Sequence, residues 1–161
     1  MQIDTTTYRS PNYNRRPVGM AIAALVIHTT EGAWPSDIQW LCNPQPHDPR
    51  LRVSCHYVVS PTGSIHQPVD DKDRAWHAGV GTYQGRSNWN DFSIGIEVSH
   101  IRGTPWAPAQ RPALAELCRT LMARYRITSA WVVAHRWIAP DRKVDPTDWP
   151  DAELRDWICA L

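Results

Sequence analysis

The sequence predicts an α/β or α+β fold built on a mixed sheet, and three observations predict it. Three β-prone runs, IAALVIHT (22–29), FSIGIEVS (92–99) and WVVAH (131–135), read as strands. Between the second and third, Leu114, Leu117, Cys118, Leu121, Met122 and Tyr125 recur at i, i+3, i+4, i+7, i+8 and i+11, which is one face of an amphipathic helix. The stretch HYVVSPTGSIHQPV (56–69) carries two further β-prone runs around Pro61-Thr62-Gly63, a hairpin turn.

The elements follow in chain order. Residues 1–20 are polar and without period, so an irregular N-terminal arm is expected. The run at 22–29 is a buried strand with His28 at its end. SDIQWLCN (36–43) reads as a short helix with Ser36 as N-cap. NPQPHDPR (43–50) holds three prolines and His47, and must be a loop. After the hairpin, DDKDRAWHAG reads as a loop or a short turn of helix. Residues 79–91, rich in Gly, Ser and Asn, form a long loop that carries Trp89. A second strand follows at 92–99, and a helix opens between Pro105 and Pro112. The strand at 131–135 ends on His135. The loop RWIAPDRKVDPTDWP then leads to a final helix over 151–160. Repeats are absent, and 161 residues suit one domain spanning 1–161.

Composition narrows the function. With 42% hydrophobic and 20% charged residues the chain is neither disordered nor fibrous. A net charge of +1 gives no electrostatic case for nucleic acid or an anionic membrane, and no apolar run approaches the roughly 20 residues of a membrane span. The N-terminus lacks the apolar stretch of a secretory signal, so a cytoplasmic location is expected. The four cysteines form no C-x-x-C pair, and reduced thiols are the default. Cys118 falls on the apolar helix face, whereas Cys159 lies beside the stripe of the last helix. Of the 17 basic residues 15 are Arg and two are Lys (Lys72 and Lys143), and there are nine Trp, whose flat rings suit both packing and sugar faces.

Two strands end in histidine. If they are neighbours, His28 and His135 converge beyond the carboxyl ends of the sheet, where sites of open α/β folds gather. Asp145, ten residues after His135, could fold back to join them. Two imidazoles and a carboxylate would give zinc three protein ligands and leave a position for water. The alternative is one histidine bonded to backbone and one on the surface. Glu97 sits among apolar residues in IGIEV: buried, it would be a base tuned toward neutral pH, and on an edge strand it would simply face solvent. Lys143, two residues before Asp145, either offers an ammonium to a developing oxyanion or is a solvated loop lysine. His77, in RAWHAG, either lines a pocket and bonds a polar substrate or is a structural loop histidine.

These residues lie in segments that resemble a known family: ALVIH (24–28), SCHY (54–57), RAWHAG (74–79), NDFSIGIE (90–97) and AH with APDRKVDP (134–146). Together, in this order, they are similar to the zinc N-acetylmuramoyl-L-alanine amidases of the amidase-2 type, nearest the AmpD branch, over roughly residues 20–150. The resemblance implies a central mixed β-sheet flanked by helices, with zinc in a surface groove. It implies His28, His135 and Asp145 as metal ligands and Glu97 as the catalytic glutamate. Lys143 would stabilise the tetrahedral intermediate, and Tyr57 would assist at the zinc water. His77, Arg74 and Arg86 would be wall residues holding the muramyl-peptide. The chain departs from relatives at Thr29-Thr30, where His or Asn is frequent, and the segment 34–52, with Trp34 and Trp40, would build a variable groove wall.

The expected reaction is hydrolysis of the amide between the lactyl group of N-acetylmuramic acid and L-alanine, by a monomer acting on peptidoglycan or muropeptides. The setting is either cytosolic recycling of anhydro-muropeptides or lysis of the wall by a phage or prophage endolysin released through a holin. A non-catalytic peptidoglycan-binding module is the alternative from another class. A zinc nuclease is disfavoured by the lack of a basic face.

Overall fold

A computed structural model describes residues 2–44, 48 and 51–161. Part of the proline-rich 43–50 loop, with His47, lies outside the described residues.

Among the described residues there are eight strands: β1 (Ile3–Asp4), β2 (Tyr13–Arg15), β3 (Ala24–Thr29), β4 (Tyr57–Val59), β5 (Ile65–His66), β6 (Asp73–Ala75), β7 (Ser93–Val98) and β8 (Val132–Ala134). Six of them form a mixed sheet in the order β1-β5-β4-β7-β3-β8. The neighbours β4, β7, β3 and β8 run parallel, and β5 runs antiparallel to β4. The helices are α1 (Ser36–Leu41), α2 (Gln110–Tyr125), α3 (His135–Ile138) and α4 (Asp151–Cys159). The mixed central sheet with flanking helices is the architecture expected above.

Strand alternation sorts the sheet into two faces. Leu25 and Ile27 of β3, Ile94, Ile96 and Val98 of β7, and Tyr57 and Val59 of β4 form one core with Leu114, Leu117, Cys118 and Leu121 of α2 and Leu154 and Ile158 of α4. The intervening residues face the other way into two smaller clusters. One holds Ala24, Val26, Phe92, Trp89, Val133 and Ile138. The other holds Val58 and Cys55 under Ile38 and Leu41 of α1. His28 and Glu97 belong to this second face, at the carboxyl edge of the parallel strands.

Four local expectations are corrected. The N-terminal arm is not irregular throughout: β1 adds to the main sheet beside β5, and β2 pairs antiparallel with β6. The segment DDKDRAWHAG is accordingly extended at β6, because Tyr13–Arg15 supplies a distant ladder partner that local sequence does not reveal. Ser36 is not the cap of α1. Pro35 holds that position, and no side chain caps the helix. His135 opens the short helix α3 rather than closing β8. The hairpin is as expected, with Ser60 and Ser64 bridged by backbone (3.0 Å or less) and Gly63 at φ +81°, a left-handed turn position.

Candidate metal centre

β3 and β7 lie side by side in parallel register, with His28 opposite Glu97. Both side chains project from the face away from α2, since Ile27 and Ile96 before them point into the core. His135 arrives from the next strand over, at the first residue of α3. Asp145 is brought back to it by local hydrogen bonds. The Arg136 amide donates to the Asp145 carbonyl (2.8 Å), and the Arg136 guanidinium donates to the carbonyls of Pro146 and Trp149. The end of β3 is tied to the same loop by the Glu31 carboxylate, which accepts the hydroxyls of Thr29 and Thr147, each at 2.6 Å.

The result is a cluster of His28, His135 and Asp145, all buried. Asp145 Oδ2 lies 3.0 Å from Nδ1 of each histidine, and the three candidate ligand atoms fall within 4.8 Å of one another. His135 Nε2 donates to the Ala78 carbonyl at 2.9 Å. A carbonyl only accepts, so that proton sits on Nε2 and the Nδ1 lone pair faces the cluster. Two nitrogen donors and one carboxylate oxygen, aimed at one point, suit a zinc ion with an open fourth position.

Burial dominates the electrostatics. It holds the His28 pKa down to about 4, with His135 adding to the effect and Asp145 opposing it. For Asp145, burial acts to raise the pKa, but the two imidazoles of His135 and His28 beside it outweigh that and keep the carboxyl well below the usual range. Glu97 is pushed well up by burial and by the Asp145 charge, while the Lys143 ammonium pulls it back. Its Oε2 is buried with no hydrogen-bond partner among the described residues. A carboxyl held this way is poised to exchange a proton.

These groups line a cleft of about 410 Å³ together with Lys143, Thr30, Asp37, Trp40 and Leu41. Trp40 is 51% exposed, and the other eight tryptophans are buried or half-buried. The one indole with an open face is thus the one in the cleft wall, in the segment expected to build it.

Of the residues singled out from the sequence, the fold brings together His28, His135, Asp145, Glu97 and Lys143. It places Tyr57 elsewhere. Tyr57 lies on the α2 face of β4, one residue out of phase with Val58, which pairs with Glu97. Its hydroxyl donates to Asp71 at 2.6 Å, within a network that Gln67, Arg124 and Tyr125 complete. Arg74 and Arg86 do not line the cleft. Arg74 pairs with Asp91 (2.5 Å) and Asn14 (2.7 Å) at the β2–β6 ladder. Arg86 stacks over Phe92, 3.6 Å from its centroid, and near Trp131. His77 reaches the cleft floor, but both ring nitrogens are engaged inside the protein, by His28 (3.1 Å) and Ser93 (3.3 Å), so neither is left for a substrate. Glu31 and Thr147 join the site without a motif to mark them; the run of polar residues directly after His28 is their signal in the sequence. No described helix is long and apolar enough to cross a membrane.

Known proteins share both sequence and fold. The profile of the N-acetylmuramoyl-L-alanine amidase family matches residues 18–148. The chain is 37% identical to the 1,6-anhydro-N-acetylmuramyl-L-alanine amidase AmpD of Haemophilus influenzae, over 93% of this chain and 89% of that one. A crystal structure of an AmpD superposes with a TM-score of 0.77 at 34% identity, covering 98% of this chain and 99% of that one. The Escherichia coli amidase AmiD, in complex with the substrate anhydro-N-acetylmuramic acid-L-Ala-D-γ-Glu-L-Lys, superposes with a TM-score of 0.70 at 34% identity, covering 86% of this chain and 64% of that one.

Proposed function

This chain belongs to the N-acetylmuramoyl-L-alanine amidase family, and from that premise we propose that it is a zinc-dependent hydrolase of the amide joining the lactyl group of a muramic acid to L-alanine. The observation that carries the proposal is the convergence of His28, His135 and Asp145 on one point beside Glu97, whose Oε2 is buried without a hydrogen-bond partner among the described residues. Soluble anhydro-muropeptides are the substrates that the similarity to AmpD and to AmiD favours.

The residues present fit zinc, which His28, His135 and Asp145 would hold and which would supply Lewis acidity and an acidified water. Glu97 accepts a proton from the attacking water as the carbon–oxygen bond forms, and returns it to the leaving nitrogen as the carbon–nitrogen bond breaks. Lys143 lines the cleft, where its ammonium would offset negative charge developing on the carbonyl oxygen. The cleft wall at Trp40 and Leu41 offers an apolar face to the sugar side of the substrate. Tyr57, Arg74 and Arg86 take no part.

The test is metal analysis with a muropeptide hydrolysis assay. The purified protein should carry about one zinc per chain and release the stem peptide from an anhydro-muropeptide. Chelation should abolish turnover and added zinc should restore it, and His28→Ala should remove both metal and activity. Cleavage that persists in a zinc-free variant overturns the metal role. Binding of the muropeptide without product would make the chain a recognition module, and lysis of intact walls at a comparable rate would make it an endolysin.

A further inference from the structure

Two of the sequence motifs have no role in the chemistry above, RAWHAG (74–79) and NDFSIGIE (90–97) apart from Glu97, and the fold locks them into each other directly behind the ligands. Resting on the metal site just described, we propose that the His77–Ala78 dipeptide, clamped by Asn90, is a positioning device that fixes the tautomer and aim of both histidine ligands.

His77 stands behind His28, with Nδ1 3.1 Å from His28 Nε2. Its own Nε2 lies 3.3 Å from Ser93 Oγ, and that hydroxyl donates to the Trp89 carbonyl at 2.5 Å. The terminal carbonyl sets the direction of the whole chain. Ser93 must donate to Trp89 and so accepts from His77 Nε2–H. His77 Nδ1 therefore accepts from His28 Nε2–H, and His28 Nδ1 is left with its lone pair toward Asp145. The next residue, Ala78, serves the other ligand: its carbonyl accepts from His135 Nε2 and from Arg142. Two adjacent residues thus orient two imidazoles that arrive from different strands.

The dipeptide is itself held. Asn90 Oδ1 accepts the amide of His77 (3.1 Å) and the amide of Ala78 (2.8 Å). Gly95, on the site face of β7, leaves the room: a Cβ there would lie 2.6 Å from His77 Nδ1 and Cδ2, far inside van der Waals contact. Groups that orient metal-bound histidines typically set metal affinity by 10- to 100-fold. Asn90 belongs to this class although it touches neither ligand.

The experiment measures zinc affinity by competition with a chromophoric chelator, and the cobalt-loaded visible spectrum, on the full chain. Asn90→Ala should bind zinc roughly 10- to 100-fold more weakly, while Asn90→Asp, which keeps the acceptor oxygen, should recover most of the loss. His77→Phe should weaken zinc similarly and shift the cobalt spectrum, with His77→Asn, whose Oδ1 replaces Nδ1, intermediate. Independently of any variant, NMR of the zinc-loaded wild type should show both His28 and His135 as Nε2–H tautomers in slow exchange with water. Unchanged affinity in folded Asn90→Ala and His77→Phe, or an Nδ1–H tautomer at His28, overturns the inference and leaves the metal site standing. A wild type that takes up no zinc overturns both.

Discussion

Replacing Glu97 by Gln separates charge from shape at the residue on which the proposed proton transfers depend. The side chain keeps its length and its place on β7 opposite His28, but it can no longer take up a proton. General acid–base groups contribute about 10²- to 10⁴-fold, or about 2.7–5.5 kcal/mol of barrier, and kcat for anhydro-muropeptide cleavage should fall by that factor at unchanged zinc content. Stability should move the opposite way. Burial raises the Glu97 pKa above its ordinary 4.5, so as pH rises through that value the unfolded chain loses its proton before the folded one. Folding stability then declines with pH until the folded carboxyl also ionises. Glutamine has no such penalty. In metal-free protein, the melting temperature of Glu97→Gln should therefore gain on wild type as pH rises from 4.5 toward neutrality. A variant with kcat within ten-fold of wild type at equal metal loading would refute Glu97 as the base. A gap that narrows with rising pH would refute its burial as a carboxyl.

Other expectations follow from the same geometry. Lys143→Ala should cut kcat by about 10²- to 10³-fold with the fold intact, and near-wild-type turnover would remove Lys143 from the mechanism. Tyr57→Phe deletes one donor to buried Asp71 and should cost about 1 kcal/mol by urea titration with kcat unchanged; a ten-fold loss of kcat in the folded variant would return Tyr57 to the site. Trp40→Ala should raise KM by up to roughly ten-fold with little change in kcat, and an unaltered KM would rule out the indole as a sugar platform. Burial holds His56 near pKa 3 and His28 near 4, both below the 6.5 of a free imidazole. Below pH 6.5 the unfolded chain protonates first, so this stability is whole above 6.5 and is lost as pH falls toward those values. Urea midpoints of metal-free Glu97→Gln, in which the opposing carboxyl is absent, should drop between pH 7 and 4; a flat profile contradicts neutral buried imidazoles.

The long strands were legible because β3 opens on a continuous apolar run and β7 alternates Ile94, Ile96 and Val98, and α2 because its stripe repeats over 16 residues. The strands β1, β2 and β6 were not. Each has two or three residues, too few for a period, and their pairing partners lie dozens of positions away. The convergence of His28, His135 and Asp145 was readable from two strand-end histidines and a nearby aspartate. Tyr57 was misplaced because a one-residue change of phase turns a strand side chain to the opposite face, and only the pairing of Val58 with Glu97 reveals the phase. His77 stayed open in sequence, pocket wall or structural loop histidine, because its two partners, His28 and Ser93, come from separate strands. Arg74 and Arg86 look available in sequence; Asp91, Asn14 and the Phe92 ring claim them only after folding.

The two sides of the central sheet answer to different demands. The side toward α2 and α4 is packing apart from the Tyr57–Asp71 network at its margin, while the side bearing His28, Ser93, Gly95 and Glu97 gives up bulk and greasiness to seat polar groups. An engineer seeking a hardier catalyst therefore has more latitude behind the sheet, at positions such as Met122 or Ala113, which pack on the core of the α2 side rather than on the His28–His135–Asp145 cluster. In front, even one extra methyl at Gly95 would push straight into the His77 ring that backs His28.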